Sequence, residues 1–296
     1  MSRLLRNVPS LAALLVLAGC VVTDRTMERW AGGDYVGVSA GGQHSCALDI
    51  EGVIKCWGSD SDDQITGTPA SGDYEAVSAG ENHTCALDGS GSIDCWGSDS
   101  DDQITDTPSQ LGYTDISAGG NHNCAIAASG IVDCWGSDAY EQVSTAPTSN
   151  GYTAVSAGKY HSCALDSSGD VTCWGLDGDN QVSSGAGFKS VSAGGFHTCG
   201  IRTAGEIACW GGLTNPPDGV LYAAIDAGRY HACAIYNSDA IACWGDDDDY
   251  QVTDAPTQSG YVAVSAGDYH GCAVDSAGAI ECWGADNQDQ VSEAPQ

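Results

Sequence analysis

Apolar and polar residues alternate over two short stretches that recur along the chain. The first copies are HSCALD (44–49) and GVIKCWG (52–58), joined through Ile50 and Glu51. Period-two alternation on both sides of a Gly-containing turn predicts a β-hairpin. Placing Cys46 opposite Cys56 sets Leu48 opposite Ile54 and His44 opposite Gly58. One face then carries His44, Cys46, Leu48, Ile54 and Cys56. The Leu48 column stays apolar in every copy (Leu87, Ile126, Leu165, Ile201, Ile235, Val274), and so does the Ile54 column (Ile93, Val132, Val171, Ile207, Ile241, Ile280). That constancy marks a buried face. The other face pairs small Ala47 with large Trp57, which suits close stacking against a neighbour. A preceding VSAG stretch and a later Gln-Val extend the prediction to a sheet of three to four strands.

The pattern is a repeat. Paired cysteines stand 10 positions apart as Cys46/Cys56, Cys85/Cys95, Cys124/Cys134, Cys163/Cys173, Cys199/Cys209, Cys233/Cys243 and Cys272/Cys282. All seven histidines lie two residues before the first cysteine of a pair, and seven of the eight tryptophans directly follow the second. A unit of about 39 residues cannot bury two sheet faces alone, so each must cover the next. The first and last units look like the middle ones, which favours a closed ring over an open solenoid with capping repeats. The predicted fold is all-β: a seven-bladed β-propeller of short blades spanning 34–296. The 40 glycines and scarce Phe fit many turns and few long helices.

The unit S-A-G-x-x-H-x-C, the Gly of the turn, C-W-G and the later Gln (Gln64, Gln103, Gln142, Gln181, Gln251, Gln290) resemble the regulator of chromosome condensation repeat family in a short bacterial form. The resemblance covers about residues 34–292. It implies the propeller fold and leaves the activity open, because one fold hosts many functions. The eukaryotic prototype binds chromatin and acts as a nucleotide exchange factor on a small GTPase. Similar propellers in secreted bacterial proteins inhibit β-lactamases by protein–protein contact.

The His and Cys columns admit three readings. Cross-strand cysteines lie within disulfide range, and an exported chain meets an oxidising compartment. Seven staples, one per blade, are therefore expected. Each closes about 11 residues, nominally worth about 2.5–3 kcal/mol. A zinc site would use His44, Cys46 and Cys56 but lacks a fourth ligand. A redox pair would want C-x-x-C. The histidines are expected to bond backbone groups. Gly37-Val38-Ser39-Ala40-Gly41 matches a nucleophile-elbow pattern. The same serine recurs as Ser78, Ser117, Ser156, Ser192 and Ser265, so it belongs to the repeat. No base–nucleophile set stands outside repeat positions, which argues against an enzyme.

The N-terminus differs. Arg3 and Arg6 precede LAALLVLAG, too short an apolar run to span a bilayer stably. Leu17-Ala18-Gly19-Cys20 looks like a bacterial lipoprotein signal, with 1–19 removed and lipid placed on Cys20. Val21 then suggests the outer membrane, facing periplasm or exterior. Residues 20–33 would be a tether, about 45 Å at full stretch.

Net charge is −31, and removal of Arg3 and Arg6 leaves 40 acids against seven bases. Such a surface repels nucleic acid and anionic lipid and attracts cations or a basic partner. Sixteen carboxylates fall in the loops after W-G, including Asp60, Asp62, Asp63, Asp99, Asp101, Asp102 and the run Asp246, Asp247, Asp248, Asp249. They are expected to ring one face, as a solubilising coat, a basic-partner surface or a calcium site. The fifth unit departs at WGGLTNPPDGV (210–220), without the acids and the Gln. Leu213, Asn215 and Tyr222 are its candidate contact residues. The expected function is a lipid-anchored envelope module that binds a protein. An enzyme or glycan-binding protein using the propeller mouth, or a passive adhesive coat, are the alternatives.

Overall fold

The computed structural model describes residues 35–213, 216 and 219–295, with the backbone of 16–17 and 20–21. Seven three-stranded antiparallel sheets follow one another along the chain, one per repeat. Their inner strands are Tyr35–Ala40, Tyr74–Ala79, Tyr113–Ala118, Tyr152–Ala157, Phe188–Ala193, Tyr222–Ala227 and Tyr261–Ala266. Middle strands run from His44–Asp49 to His270–Asp275, and outer strands from Ile54–Gly58 to Ile280–Gly284. The inner strands of all seven blades line one central channel. The register is the predicted one: His44 faces Gly58, Cys46 faces Cys56 and Leu48 faces Ile54.

All seven cysteine pairs are disulfides: Cys46–Cys56, Cys85–Cys95, Cys124–Cys134, Cys163–Cys173, Cys199–Cys209, Cys233–Cys243 and Cys272–Cys282. Their Cα atoms are 4.0 or 4.1 Å apart. The staple reading of the cysteine columns is the one the structure shows. The expected fourth strand does not form: the Gln-Val and Gln-Ile segments lie in turns in blades 1, 2, 3, 6 and 7, and in blade 4 a single bridge, Gly185 to Val171, follows Gln181-Val182. A nearby carboxylate there takes the amides that a ladder would have paired. Asp60 Oδ1, for example, accepts from the N–H groups of Ile65 and Thr66 at 2.8 and 2.9 Å.

The missing strand corrects the expectation of a uniformly buried hairpin face. Every middle-strand cysteine, from Cys46 to Cys272, is fully buried. On the outer strands Cys56 and Cys173 are buried, but Cys95, Cys134, Cys209, Cys243 and Cys282 are only half-buried. The outer strand is the edge of its blade, so water reaches one side of those bridges.

The core lies between blades. Cys46, Leu48, Ile54 and Cys56 of blade 1 pack against Val77, Ala86 and Trp96 of blade 2. Val38, Ala47 and Trp57 of blade 1 cover Cys272, Val274 and Ile280 of blade 7, with Ala294 added from the C-terminal turn. Each apolar hairpin face therefore meets the Ala/Trp face of the next blade, as the pattern predicted.

Four further contacts join every blade, or nearly every blade, to its neighbour. First, the Gly of each S-A-G approaches the next blade so closely that a Cβ would sit 2.3–2.5 Å from the following blade's carbonyl oxygen. The residue after that Gly donates its N–H to the same oxygen at 3.0–3.3 Å, from Gly42 N to Gly80 O round to Asp268 N to Gly41 O. Second, the repeat serine accepts the N–H of the next blade's alanine, as Ser39 Oγ does from Ala79 at 2.9 Å. Blade 6 carries Asp226 in that column; it accepts from Ala266 N at 2.8 Å and from Ser192 and Ser265 hydroxyls. Third, the Trp Nε1–H donates to the Gln backbone carbonyl of the preceding repeat, and Trp57 closes the ring on Gln290 O at 2.9 Å.

The fourth contact corrects the expectation for the histidines. Their partners are side chains of the next blade: His44 Nε2 meets Thr84 Oγ1 at 2.8 Å, His83 meets Asn123, His122 meets Ser162, His161 meets Thr198 and His270 meets Ser45. Blades 6 and 7 carry Ala232 and Gly271 at that position, and the Nε2 atoms of His197 and His231 have no partner. Burial holds the rings neutral: it lowers His44, His122, His161 and His231 to about 3, and His197 and His270 to about 4.

Two outcomes follow. The folded imidazoles bind protons far less readily than unfolded ones, so their contribution is complete above pH about 6.5 and lost as pH falls toward 4. Each histidine should cost about 1.4 kcal/mol per pH unit across that window. Denaturant midpoints at pH 7, 6 and 5 should drop steeply, and a flat series would show that the rings are solvated. Separately, Ala232→Ser gives His197 the hydroxyl that His161 has in Thr198. It should raise stability by about 1 kcal/mol, and a lower midpoint would refute that pairing.

Candidate functional site

Strand directions put two sets of loops on one face, termed the upper face. The loops between inner and middle strands (41–43 in blade 1) open there, as do the segments leaving the outer strands (from 59). The two are tied together: Ser59 N donates to Gln43 O at 2.9 Å. The middle–outer turns and the starts of the inner strands lie on the lower face, where Tyr74 N donates to Gly52 O at 3.2 Å.

The acidic loops therefore share a face with the channel mouth. Their carboxylates do not act alike. Asp60, Asp99, Asp138, Asp177, Asp247 and Asp286 each bond backbone amides of their own turn. Those amides, Thr66 N–H foremost for Asp60, hold that carboxyl below its ordinary range. These residues build the loops. Asp62 accepts from Ser61 Oγ, Asp101 from Asn121 and Asp246 from Gln251. Asp63 and Asp102 sit at φ 61° and 58°, the left-handed position before the Gln. Asp248 and Asp249 complete the run in the blade 6 loop, where Asp249 N donates to Gln251 Oε1 at 2.9 Å. Among the described residues, no three His, Cys, Asp or Glu side chains gather as a metal-holding group.

The fifth-blade expectation needs correction. Tyr222 is buried and stacked on Tyr236 with centroids 5.0 Å apart, so it is a core residue. Leu213 packs with Tyr222, Ile225 and Trp244. Its Cδ1 stands 2.8 Å from the Cβ position of Gly245, whereas Gly136 and Gly175 meet a Gln Cβ at the same place. Leu213 thus fills the space of the missing Gln, and Trp244 Nε1 is left without an acceptor. Asn215 lies outside the described residues, and of Cys20 only the backbone is described, paired with Leu17.

Two features of the upper face escaped the sequence reading. The residues after the glycine collar are Gly42, Glu81, Gly120, Lys159, Gly195, Arg229 and Asp268, which line the mouth. Lys159 Nζ reaches Glu81 at 2.6 Å and Asp268 at 3.1 Å, and Arg229 reaches Asp268 at 3.5 Å. Burial works to lower the Lys159 ammonium, but Asp268 and Glu81 outweigh it and keep the lysine charged. Side chains from blades 2, 4, 6 and 7 are therefore drawn together over the mouth.

The second feature is the column just before the histidine. It is polar in blades 1–3 (Gln43, Asn82, Asn121) and aromatic in blades 4–7 (Tyr160, Phe196, Tyr230, Tyr269). Tyr140, from the blade 3 loop, joins edge-on to Tyr160 at 5.3 Å. Tyr160 and Phe196 are 5.5 Å apart, and Phe196 and Tyr230 stack at 5.4 Å. The Arg229 guanidinium lies 5.0 Å from the Tyr230 ring and 5.5 Å from that of Tyr269. The result is an aromatic arc over half of the rim, in ring-to-ring contact from Tyr140 to Tyr230 and joined to Tyr269 through Arg229. Aligning the seven copies would have exposed it, because one column changes chemistry between the third and fourth copies.

Comparisons with known proteins bear on the fold. The family model of the regulator of chromosome condensation (RCC1) repeat matches residues 35–64, 74–103, 113–142, 152–181, 188–214 and 222–251. The CRINKLY ectodomain of the Arabidopsis thaliana receptor kinase ACR4 is 29% identical, with 88% of this chain and 97% of that chain covered and a TM-score of 0.72. The ectodomain of the Physcomitrella patens receptor kinase CR4 is 28% identical, covering 84% and 72%, at 0.71. Prp20p from Saccharomyces cerevisiae, 16% identical over 79% and 80% at 0.64, shares the fold. No curated protein sequence matches. With six matched repeats and a seventh blade of the same build, this chain belongs to the RCC1 repeat family as a seven-bladed, disulfide-stapled β-propeller.

Proposed function

We propose that this protein is a lipid-anchored module of the cell envelope that binds another protein with the upper face of its propeller. The aromatic arc carries the reading. Elsewhere the repeated residues are absorbed into bonds between blades. The histidine, serine, tryptophan and glutamine columns hold the ring together and are unavailable for catalysis. The arc breaks the sevenfold pattern without serving it, because polar residues occupy the same column in three blades. Tyr140 and Tyr230 remain exposed there.

Topology supports the orientation. The chain enters the propeller at Tyr35, on the lower face, so a lipid on Cys20 would hold that face toward the membrane. Cleavage after Gly19 would remove Val16–Leu17, half of the short ladder with Cys20–Val21, and free Cys20 for the tether. The acidic upper face then points away from anionic headgroups, as its charge requires. The two plant propellers are ectodomains of receptor kinases, in keeping with an exported, disulfide-bonded platform.

Pull-down of envelope extract on the mature, oxidised domain is the test. One protein should be captured saturably, and calcium or chelator should leave capture unchanged if the carboxylates serve only their loops and the surface charge. Absence of any saturable partner would overturn the reading; dependence on calcium would assign the acidic loops a cation. Cys20→Ala should move the protein from the membrane fraction to the soluble fraction.

A further inference from the structure

Resting on that protein-binding reading, we infer that the arc formed by Tyr160, Phe196, Tyr230 and Tyr269 is a hot spot for a basic knob of the partner. The knob is a loop in which Lys or Arg flanks an aromatic or aliphatic side chain. Three observations carry this.

The first is freedom from structural duty. The backbone at this column does the same work in every blade: Ser59 N bonds Gln43 O at 2.9 Å, and Asp246 N bonds Tyr230 O at 3.1 Å. Gln43 satisfies that bond as well as Tyr230 does, so the blade does not demand a ring. Tyr269 has a reason for its ring in Arg229, whose Nη1 donates to its hydroxyl; the rings of Tyr160, Phe196 and Tyr230 need another. They are also immobilised by one another, which lowers the entropy lost when a partner docks.

The second is how the rings are presented. Phe196 stacks on Tyr230 and has the tilted ring of Tyr160 against it. Tyr230 has Phe196 and the Arg229 guanidinium against it. Sugars stack on open ring faces, and Phe196 and Tyr230 already cover a face of each other. What remains is a strip of ring edges, a surface suited to packing against protein side chains.

The third is charge. Lys159 and Arg229, the bases at the mouth, are neutralised by Glu81 and Asp268. Around the arc the potential is set by the loop acids, foremost the run Asp246–Asp249. Beside them Tyr250 is 63% exposed at φ 62°, in the left-handed position that holds Asp in blades 1 and 2. A bulky ring there costs backbone strain, and it sets another apolar surface among carboxylates. Such a face attracts cationic groups, rewards an apolar anchor and rejects acidic partners.

The probe is a phage-displayed library of short disulfide-closed loops, selected on the oxidised propeller. Enriched loops should combine Lys or Arg with Trp, Tyr, Phe or Leu. Binding should weaken by about 30-fold or more in Phe196→Ser/Tyr230→Ser and fall between about 50 and about 300 mM NaCl. Should that double variant melt early, Tyr230→Lys alone serves, since it keeps an aliphatic stem and repels a basic loop. Glu51→Ala, on the lower face, should change nothing. Enrichment of acidic or uncharged loops, unchanged binding to the rim variants, failure to enrich any loop, or displacement of the loops by neutral oligosaccharides would each overturn the inference. An envelope partner that is captured yet not displaced by the loops would overturn the hot spot while the protein-binding reading stands.

Discussion

The molecule depends on how closely one blade can approach the next at the channel. Seven glycines put backbone against backbone there, each leaving no room for a Cβ before the neighbouring carbonyl oxygen. Only at that separation do the inter-blade N–H···O bonds form around the mouth. The same approach brings the repeat serine under the next alanine amide and the histidine under the next hydroxyl. Trp and Leu/Ile layers then fill the wider gap farther out. A single alanine in the collar would push two blades apart and loosen every contact in that seam. Closure needs no strand exchanged between the chain ends: Ser45 with His270, and Trp57 with Gln290, repeat the contacts of the other seams.

A ring of this build must also tolerate a large negative charge. Self-repulsion favours expansion, and the seven cross-strand disulfides oppose it by constraining the unfolded chain. Some of the acids contribute directly to folding, because in six of the loops one Asp accepts the amides of its own turn. The few bases are placed where they count most. Lys159 and Arg229 meet Glu81 and Asp268 over the channel, where all four are partly screened from water and no single blade could satisfy them.

Departures from sevenfold symmetry fall into two kinds. Around the blade 5–7 seams the repeat's own bonds are missing: Ala232 and Gly271 leave His197 and His231 unmatched, and Leu213 replaces a glutamine that would have met Trp244. These changes lie inside and weaken the ring. On the rim the departure faces solvent and adds aromatic surface. The first kind subtracts from stability with no visible gain; the second adds a surface that the fold does not need.

The sequence by itself determined the seven blades, the hairpin register, the cysteine pairing and the buried columns, because period-two alternation and constant spacing are local and repeated seven times. It also showed which residues belong to the blade, since Ser39 and His44 recur in register. It could not say what those residues bond, and the histidines were matched to backbone when their partners lie in the next blade. The fourth strand failed because Asp60 and its counterparts take the amides that a ladder would have used, and Cys95, Cys134, Cys209, Cys243 and Cys282 stay half-buried at the blade edge as a result. Leu213 and Tyr222 looked like surface because their unit is irregular, yet packing buries Tyr222 and seats Leu213 in a seam. The mouth and the arc were decided by tertiary structure alone. Glu81, Lys159, Arg229 and Asp268 are far apart in sequence, and so are Tyr160, Phe196, Tyr230 and Tyr269. Only closing the ring brings one residue per repeat to a shared rim, where charges pair across a channel and neighbouring rings stack.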